Sequence, residues 1–337
     1  MSALGEVTRE LSFAAGVLAR RPFQLLLQVT NRCNMTCDFC DFWPNGVPPA
    51  QELSLEDYRR LEIELSGLGR FLISIEGGEP TLRPDLVELV RVLGRKHIPL
   101  LYTNGSRVDK AMAEALFGAG LAQVGVSIDY ADAARHDARR GLEGAFDKAW
   151  RAAALLREAA PHGGRQVHIM TVLMEENEAD LEPLLKLSAA AGVGHSVTLV
   201  AKGGFRRGDG AKHPREKLSR RLVDLWERYP HFMIFRGYLE KVDDFLFDGE
   251  LPQCRAGVQS FNIDHVGDVS PCIEKIDAPA GNVRKEPLDV IVARMAGRED
   301  VKTCRDCWTA CRGFSQALGQ GGSLPVWREM SGRMRSR

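Results

Sequence analysis

FQLLLQVTNRCNMTCDFC, residues 23–40, joins a short apolar run to three cysteines spaced C-x3-C-x2-C. An apolar run of about four to eight residues with polar flanks reads as a buried strand of the kind that parallel sheets contain. Three cysteines this close in the loop leaving such a strand, Cys33, Cys37 and Cys40, read as the thiolates of an iron-sulfur cluster. Three thiolates leave one iron of a four-iron cluster without a protein ligand, and that iron can hold a small molecule. Half of a structural zinc site is the competing assignment, but it asks for a fourth Cys or His at short spacing. The first histidine of the chain is His97. Asn34, Thr36 and Asp38 interrupt the apolar pattern that three merely buried thiols would need.

Outward from this stretch the alternation continues. Candidate strands at 23–30, 71–75, 99–103, 123–128, 168–173 and 196–200 are separated by helical periodicity over 55–66, 84–96, 110–119, 145–159 and 179–191. Strand and helix in strict alternation predict an α/β fold with a parallel sheet, open or curled into part of a barrel. Ligands of such folds collect at the C-terminal ends of the strands. The cysteine loop lies there, with Gly77, Gly78, Glu79 and Pro80 after the second strand, Asn104 and Gly105 after the third, and Ser127 and Asp129 at the end of the fourth. Two glycines allow a ligand close to the backbone, and Glu79 offers a carboxylate to an ammonium group.

The chain has 337 residues, 44% hydrophobic and 27% charged, with 45 basic and 45 acidic side chains. That is the composition of a globular protein with one large domain and a smaller one. Balanced charge gives no argument for nucleic acid or an anionic membrane as partner. No apolar run approaches the roughly 20 residues that span a bilayer. The eight cysteines form two groups with none between Asp41 and Gln253, which fits a reducing compartment and a cytoplasmic location.

The cysteine spacing, with Phe39 just before the third cysteine, resembles the signature of the radical S-adenosylmethionine (radical SAM) superfamily. The resemblance implies a partial (β/α)6 TIM-type barrel over residues 23–215, with S-adenosylmethionine on the open iron of a 4Fe-4S cluster. Electron transfer then yields a 5'-deoxyadenosyl radical that takes hydrogen from substrate. Gly77–Gly78–Glu79–Pro80 resembles the element that receives the methionine amino group. By the same resemblance Asn104, Ser127 and Asp129 border the cofactor, with ribose as the partner of Ser127 and Asp129; Asp129 is equally able to cap a helix. The run His136, Asp137, Arg139, Arg140, Gly141, Gly144 and Phe146 resembles the segment after the fourth strand in the SPASM-containing branch, where Arg140 matches an arginine that pairs with the methionine carboxylate.

A second cysteine group fills the C-terminal part: Cys254 and Cys272 flank a short hairpin-like segment with Gly267 five positions before Cys272, then Cys304, Cys307 and Cys311 follow. Their order resembles the SPASM and twitch auxiliary-cluster regions, reduced to one auxiliary 4Fe-4S cluster since no cysteine follows Cys311. Cys254, Cys272, Cys304 and Cys307 form the expected ligand set and Cys311 is the rival for the last place; a zinc ribbon is the alternative. Full ligation implies an electron relay, incomplete ligation a substrate anchor.

Residues 1–22 read as a helix with Leu4, Val7, Leu11 and Val17 or Leu18 on one side, 216–253 as a helical connection, and 254–337 as the small auxiliary domain. Lys202, Arg206, Arg207, Lys212, His213 and Arg215 crowd a glycine-rich stretch that reads as a mobile loop, and are expected to recruit an anionic, sugar- or nucleotide-like substrate; a solvated basic loop is the other reading. Oxidation of such a small molecule is the first expectation, with flavodoxin or ferredoxin as electron donor. Crosslinking or epimerisation of a ribosomally made peptide is the alternative, disfavoured by the short stretch before the first strand. A non-catalytic iron-sulfur or zinc regulator is the third.

Overall fold

The computed structural model describes residues 12–161, 166–319, 326 and 329. Six strands, β1 (Gln24–Thr30), β2 (Leu72–Gly77), β3 (Ile98–Thr103), β4 (Gln123–Ser127), β5 (Val167–Leu173) and β6 (Gly194–Leu199), pair in parallel in that order. Helices α1 (Leu55–Leu68), α2 (Leu86–Gly94), α3 (Lys110–Gly118), α4 (Ala133–Arg140), α5 (Ala145–Ala159) and α6 (Leu181–Ala191) lie between them. The result is the partial (β/α)6 barrel expected. Strand and helix positions agree with the periodicity; α4 is the addition, a polar helix with no apolar stripe to reveal it.

The sheet does not end at β1. Strand β7 (Ser260–Ile263) pairs with β1 in parallel, and β8 (Asp268–Ser270) and β9 (Gly281–Asn282) follow antiparallel, giving the order β6-β5-β4-β3-β2-β1-β7-β8-β9. The C-terminal region is therefore continuous with the barrel sheet.

Alternation along the strands divides the molecule. Leu25, Leu27, Ile73, Ile75, Leu101, Val124, Val126 and Ile169 pack into the main apolar core with residues of the helices. Their neighbours Leu26, Ser74, Glu76, Tyr102, His168 and Thr198 line a cavity of 1110 Å³. Gly125 on β4 makes room there, since a Cβ would stand 2.7 Å from the Tyr102 ring and 2.8 Å from His168 Nε2.

Helices α7 (Ser219–Arg228), α8 (Arg236–Glu240) and α9 (Val242–Leu246) lead towards β7, and α10 (Leu288–Met295), α11 (Glu299–Lys302) and α12 (Ala310–Gly319) follow the hairpin. Residues 12–18 are helical and bury Phe13 and Val17 with Phe23 and Leu318, whereas Leu18 is 63% exposed. Leu4, Val7 and Leu11 lie outside the described residues. Among the described residues, no helix is long and apolar enough to cross a membrane.

Candidate active site

The cysteine loop is clasped from three sides. From β2, Gly78 N donates to Thr30 O at 2.7 Å and Glu79 N to Arg32 O at 2.9 Å. A Cβ on Gly77 would stand 2.1 Å from Thr30 O, and one on Gly78 2.2 Å from Arg32 O. The glycine pair thus admits the chain's own cysteine loop, a different reason from the ligand approach expected from sequence. From α4, Thr36 N bonds Arg140 O at 3.1 Å, and the left-handed Gly141 (φ 65°) leaves space that a Cβ would take from Thr36 Oγ1.

The third side is the stretch 201–216. Far from being a free mobile loop, it straps the cysteine loop. Asp41 N donates to Arg206 O, Gly208 N to Phe39 O and Gly210 N to Asp38 O. Most of its cations are also occupied. Arg206 pairs with Glu274 and lies 3.9 Å from Glu76; Arg207 donates to Ala201 O, Lys202 O and Ala211 O; Lys202 pairs with Asp248 and Arg215 with Glu175. Lys202, Arg206, Arg207, His213 and Arg215 of the basic cluster expected to recruit an anion are thus spent on internal bonds, because the folded strap brings these side chains to carboxylates and carbonyls that the sequence pattern does not display.

Burial pushes the thiols up, Cys33 to about 11 and Cys40 to about 12, with Cys37 raised as well. The Arg140 guanidinium pulls all three back. Arg140 is itself buried and gives Nε and Nη2 to Asp129 Oδ2 at 2.9 and 2.5 Å, leaving Nη1 outside that pair. Asp129 is fully buried, with Val172 N on its other oxygen at 2.9 Å. Its carboxylate, expected at a ribose, is committed to Arg140 and the β5 backbone, an arrangement that orients the arginine. Phe39 packs beneath both Arg139 and Arg140, 5.8 and 5.4 Å from ring centroid to guanidinium carbon.

Glu79, 1% exposed, accepts Thr81 N, Thr81 Oγ1 and Thr103 Oγ1 on Oε1 and Asn104 N on Oε2. A carboxylate has about four lone-pair sites, two per oxygen, so Oε2 keeps acceptor capacity for a further donor. Asn104 Nδ2 reaches Asn34 Oδ1 at 3.0 Å, tying the β3 loop to the cysteine loop. Cys33, Cys37, Cys40, Phe39, Gly77, Gly78, Glu79, Asn104, Ser127 and Arg140 all line the cavity; Asp129 stands behind it.

In the C-terminal region burial pushes Cys307 up to about 12, and the thiols of Cys311 and Cys254 add to this. Cys272 is raised well above the ordinary thiol range by burial and by Cys307 and Cys254. Cys304 is raised by burial and points to Asp306 Oδ2 at 3.4 Å. Arg312 gathers the chain, donating to Cys307 O and Pro252 O at 2.7 Å. Cys254, Cys272 and Cys307 are thus electrostatic neighbours of one another, and Cys311 adds its charge to Cys307. Of the five, Cys311 lines the barrel cavity, with Glu274 and Arg206. Among the described residues, no three His, Cys, Asp or Glu side chains converge on a single-ion site; a cubane takes its thiolates at separate corners.

Residues 27–188 match the radical SAM superfamily and residues 254–308 an iron-sulfur cluster-binding domain, SPASM. A mycofactocin maturase of Mycobacterium tuberculosis is 30% identical over 327 residues, 90% of this chain and 81% of that protein. The chain belongs to the radical SAM superfamily. An AdoMet-dependent heme synthase of Nitratidesulfovibrio vulgaris is 28% identical, covering 78% of this chain and 77% of its own. The solved structure of Streptococcus suis SuiB bound to precursor peptide SuiA shares the fold, with TM-score 0.63 and 17% identity over 89% of this chain and 71% of that one.

The cofactors are accordingly S-adenosylmethionine and iron-sulfur clusters, one for the radical domain and an auxiliary one for the SPASM region. The donor set fits them. Three thiols occupy one loop under a buried cation, and beside them a cavity above the common 300–1,000 Å³ range of roughly drug-sized sites leaves room for cofactor and substrate together. Four cavity-lining residues of this radical SAM chain are not apparent from motifs: Glu76, Tyr102, His168 and Glu274. Glu76 had a signal, a lone charge in an apolar strand directly before the glycine pair. Burial raises its carboxyl to about 7, against the pull of Arg206.

Proposed function

We propose that this chain is an oxidising radical SAM enzyme, acting on a substrate held in the barrel cavity. The observation that carries it is a shared wall: the cysteine loop, the Gly77–Glu79 segment, and Cys311 and Glu274 of the auxiliary region all border one cavity. When bound, the two clusters supply the electron that splits S-adenosylmethionine into methionine and a 5'-deoxyadenosyl radical, and an acceptor for the second electron of the oxidation.

The residues divide the remaining work. Cys33, Cys37 and Cys40 hold the first cluster, and Phe39 walls it. Oε2 of Glu79 takes a donor of the methionine ammonium, and Nη1 of Arg140, aimed by Asp129, takes its carboxylate. Asn104 and Ser127 border the nucleoside. Cys254, Cys272, Cys304 and Cys307 hold the auxiliary cluster, leaving the Cys311 thiol on the cavity wall. The strap over the cysteine loop keeps water from the reacting face, as radical chemistry requires. A flavodoxin or ferredoxin is the fitting electron donor, in the reducing cytoplasm that eight free cysteines favour.

Peptide modification is the second reading. SuiB, a protein of the same fold, holds a precursor peptide, and the cavity has room for a peptide side chain beside the cofactor. The test common to both is release of 5'-deoxyadenosine by anaerobically reconstituted, reduced protein given S-adenosylmethionine alone. The enzyme reading expects it from wild type and not from a variant with Cys33, Cys37 and Cys40 changed to alanine. A regulator would release none from either.

A further inference from the structure

Several side chains reach into the barrel cavity with hydrogen-bonding capacity that the protein does not use. Glu76 on β2 accepts no hydrogen bond among the described residues. Its Oε2 lies 3.9 Å from Nη1 of Arg206, beyond hydrogen-bond length. Nη1 is likewise uncommitted, for Nε and Nη2 of Arg206 both go to Oε1 of Glu274 at 2.6 Å. Tyr102 on β3 faces the same space, close enough to feel the Glu76 charge, and its hydroxyl makes no hydrogen bond among the described residues. Edge-on to it at 6.0 Å stands His168 on β5, 4% exposed, with Nδ1 unpartnered. Polar groups buried in strands are normally satisfied. Unsatisfied groups that converge on a cavity are the ones that orient a ligand.

Their chemistry selects the ligand. With Nε and Nη2 of Arg206 taken by Glu274, a phosphate or carboxylate, which has acceptors only, would find Nη1 as its one guanidinium donor and the Glu76 carboxyl oxygens crowding it. An ammonium has donors only and cannot accept from Nη1. A hydroxyl has one donor and two acceptor positions on a single atom. Seated between Nη1 and Oε2, it accepts from the first and donates to the second, bridging the 3.9 Å that separates them.

The geometry points to an alcohol-binding subsite: Glu76 and Arg206 grip a substrate hydroxyl inside the barrel, with Tyr102, backed by His168, as a second polar contact. The proposal rests on the reading of this cavity as the substrate chamber, and it specifies a neutral alcohol in place of the anion that the basic strap suggests. The hydroxyl belongs either to a free polyol or to a Ser, Thr or Tyr side chain of a peptide.

Equilibrium dialysis of the reconstituted full chain with S-adenosylmethionine, read by mass spectrometry, separates these sources. The probes are neutral polyols with their deoxy analogues, phosphate esters of the same polyols, and short Ser, Thr or Tyr peptides with their Ala or Phe counterparts. The subsite predicts retention of a hydroxyl-bearing member, with its hydroxyl-free partner held at least about tenfold more weakly. That preference disappears in Glu76→Leu and shrinks in Tyr102→Phe, both of which leave the Arg206–Glu274 pair intact. Polyol retention identifies a free alcohol as the source, and peptide retention a side chain. Preference for phosphate esters, equal retention of hydroxyl-free partners, retention of no alcohol, or a preference that survives Glu76→Leu overturns the subsite. Release of 5'-deoxyadenosine by the same wild-type preparation without substrate is scored separately. Its absence removes the enzyme reading itself; its presence without a hydroxyl preference removes the subsite alone.

Discussion

Gly78 illustrates how much of the site rests on single atoms. A methyl group there would meet Arg32 O at 2.2 Å and Asn31 O at 2.6 Å, both backbone atoms that cannot swing away. Gly78→Ala is expected to displace the cysteine loop and to lose the first cluster while the auxiliary one stays, lowering iron from about eight to about four per chain by colorimetric assay. Unchanged iron would show that the loop accommodates the methyl. Arg140 is the second case. Its removal strands the fully buried Asp129 carboxylate, so Arg140→Ala is expected to cost about 3–5 kcal/mol of stability in urea unfolding. At this scale the sequence displays what is local: three cysteines and Gly-Gly-Glu-Pro announce themselves by spacing. It hides partnerships made by folding, such as Asp129 with Arg140 across a turn and a helix, or Glu76 with Arg206 from strand to strap.

Among elements, the strap at 201–216 departs furthest from its sequence pattern. Glycines and cations suggest mobility, yet Gly208 and Gly210 are glycines because a Cβ would collide with Asp38 and Cys40. The C-terminal cysteines raise a question that spacing and electrostatics answer differently. C-x2-C spacing selects Cys304 and Cys307, while the thiol neighbourhood joins Cys311 to Cys307. With Cys311 on the cavity wall, the proposed set expects Cys304→Ser to lose auxiliary iron and Cys311→Ser to keep it, as Mössbauer spectra of the two variants will show. The reverse result would bring the auxiliary cluster to the cavity itself. Of strands β7 to β9, the sequence displays only a hairpin-like segment around Gly267, where β7 and β8 pair antiparallel; runs of two to four residues carry too little periodicity for more.

The whole molecule carries an acid liability in its buried histidines. Burial holds His97, His136 and His168 at about 4 and His195 at about 3, below the 6.5 of a free histidine. The unfolded chain therefore binds protons that the folded one refuses, and stability present above about pH 6.5 is lost as pH falls towards 4. Glu76 and Asp264, raised by burial to about 7 and about 6, act in the opposite sense, but four groups outweigh two. The urea midpoint is expected to be lower at pH 5 than at pH 7; a level or rising midpoint would contradict the balance. The alternation of strand and helix made the barrel legible from sequence, whereas the parallel docking of β7 on β1, more than two hundred residues away, was not, because register between distant strands is set by packing.

One chain, on this reading, holds a reactive cluster at the barrel cavity and an auxiliary cluster in the C-terminal region that lends Cys311 and Glu274 to the cavity wall. Iron and sulfide content with Mössbauer spectra of anaerobically reconstituted protein tests it most directly, comparing wild type with the Cys33, Cys37, Cys40 triple alanine variant. About eight irons falling to about four, all of the four-iron type, is the predicted result. Four irons in wild type with zinc among Cys254, Cys272, Cys304, Cys307 and Cys311, or iron unaltered in the variant, would contradict it.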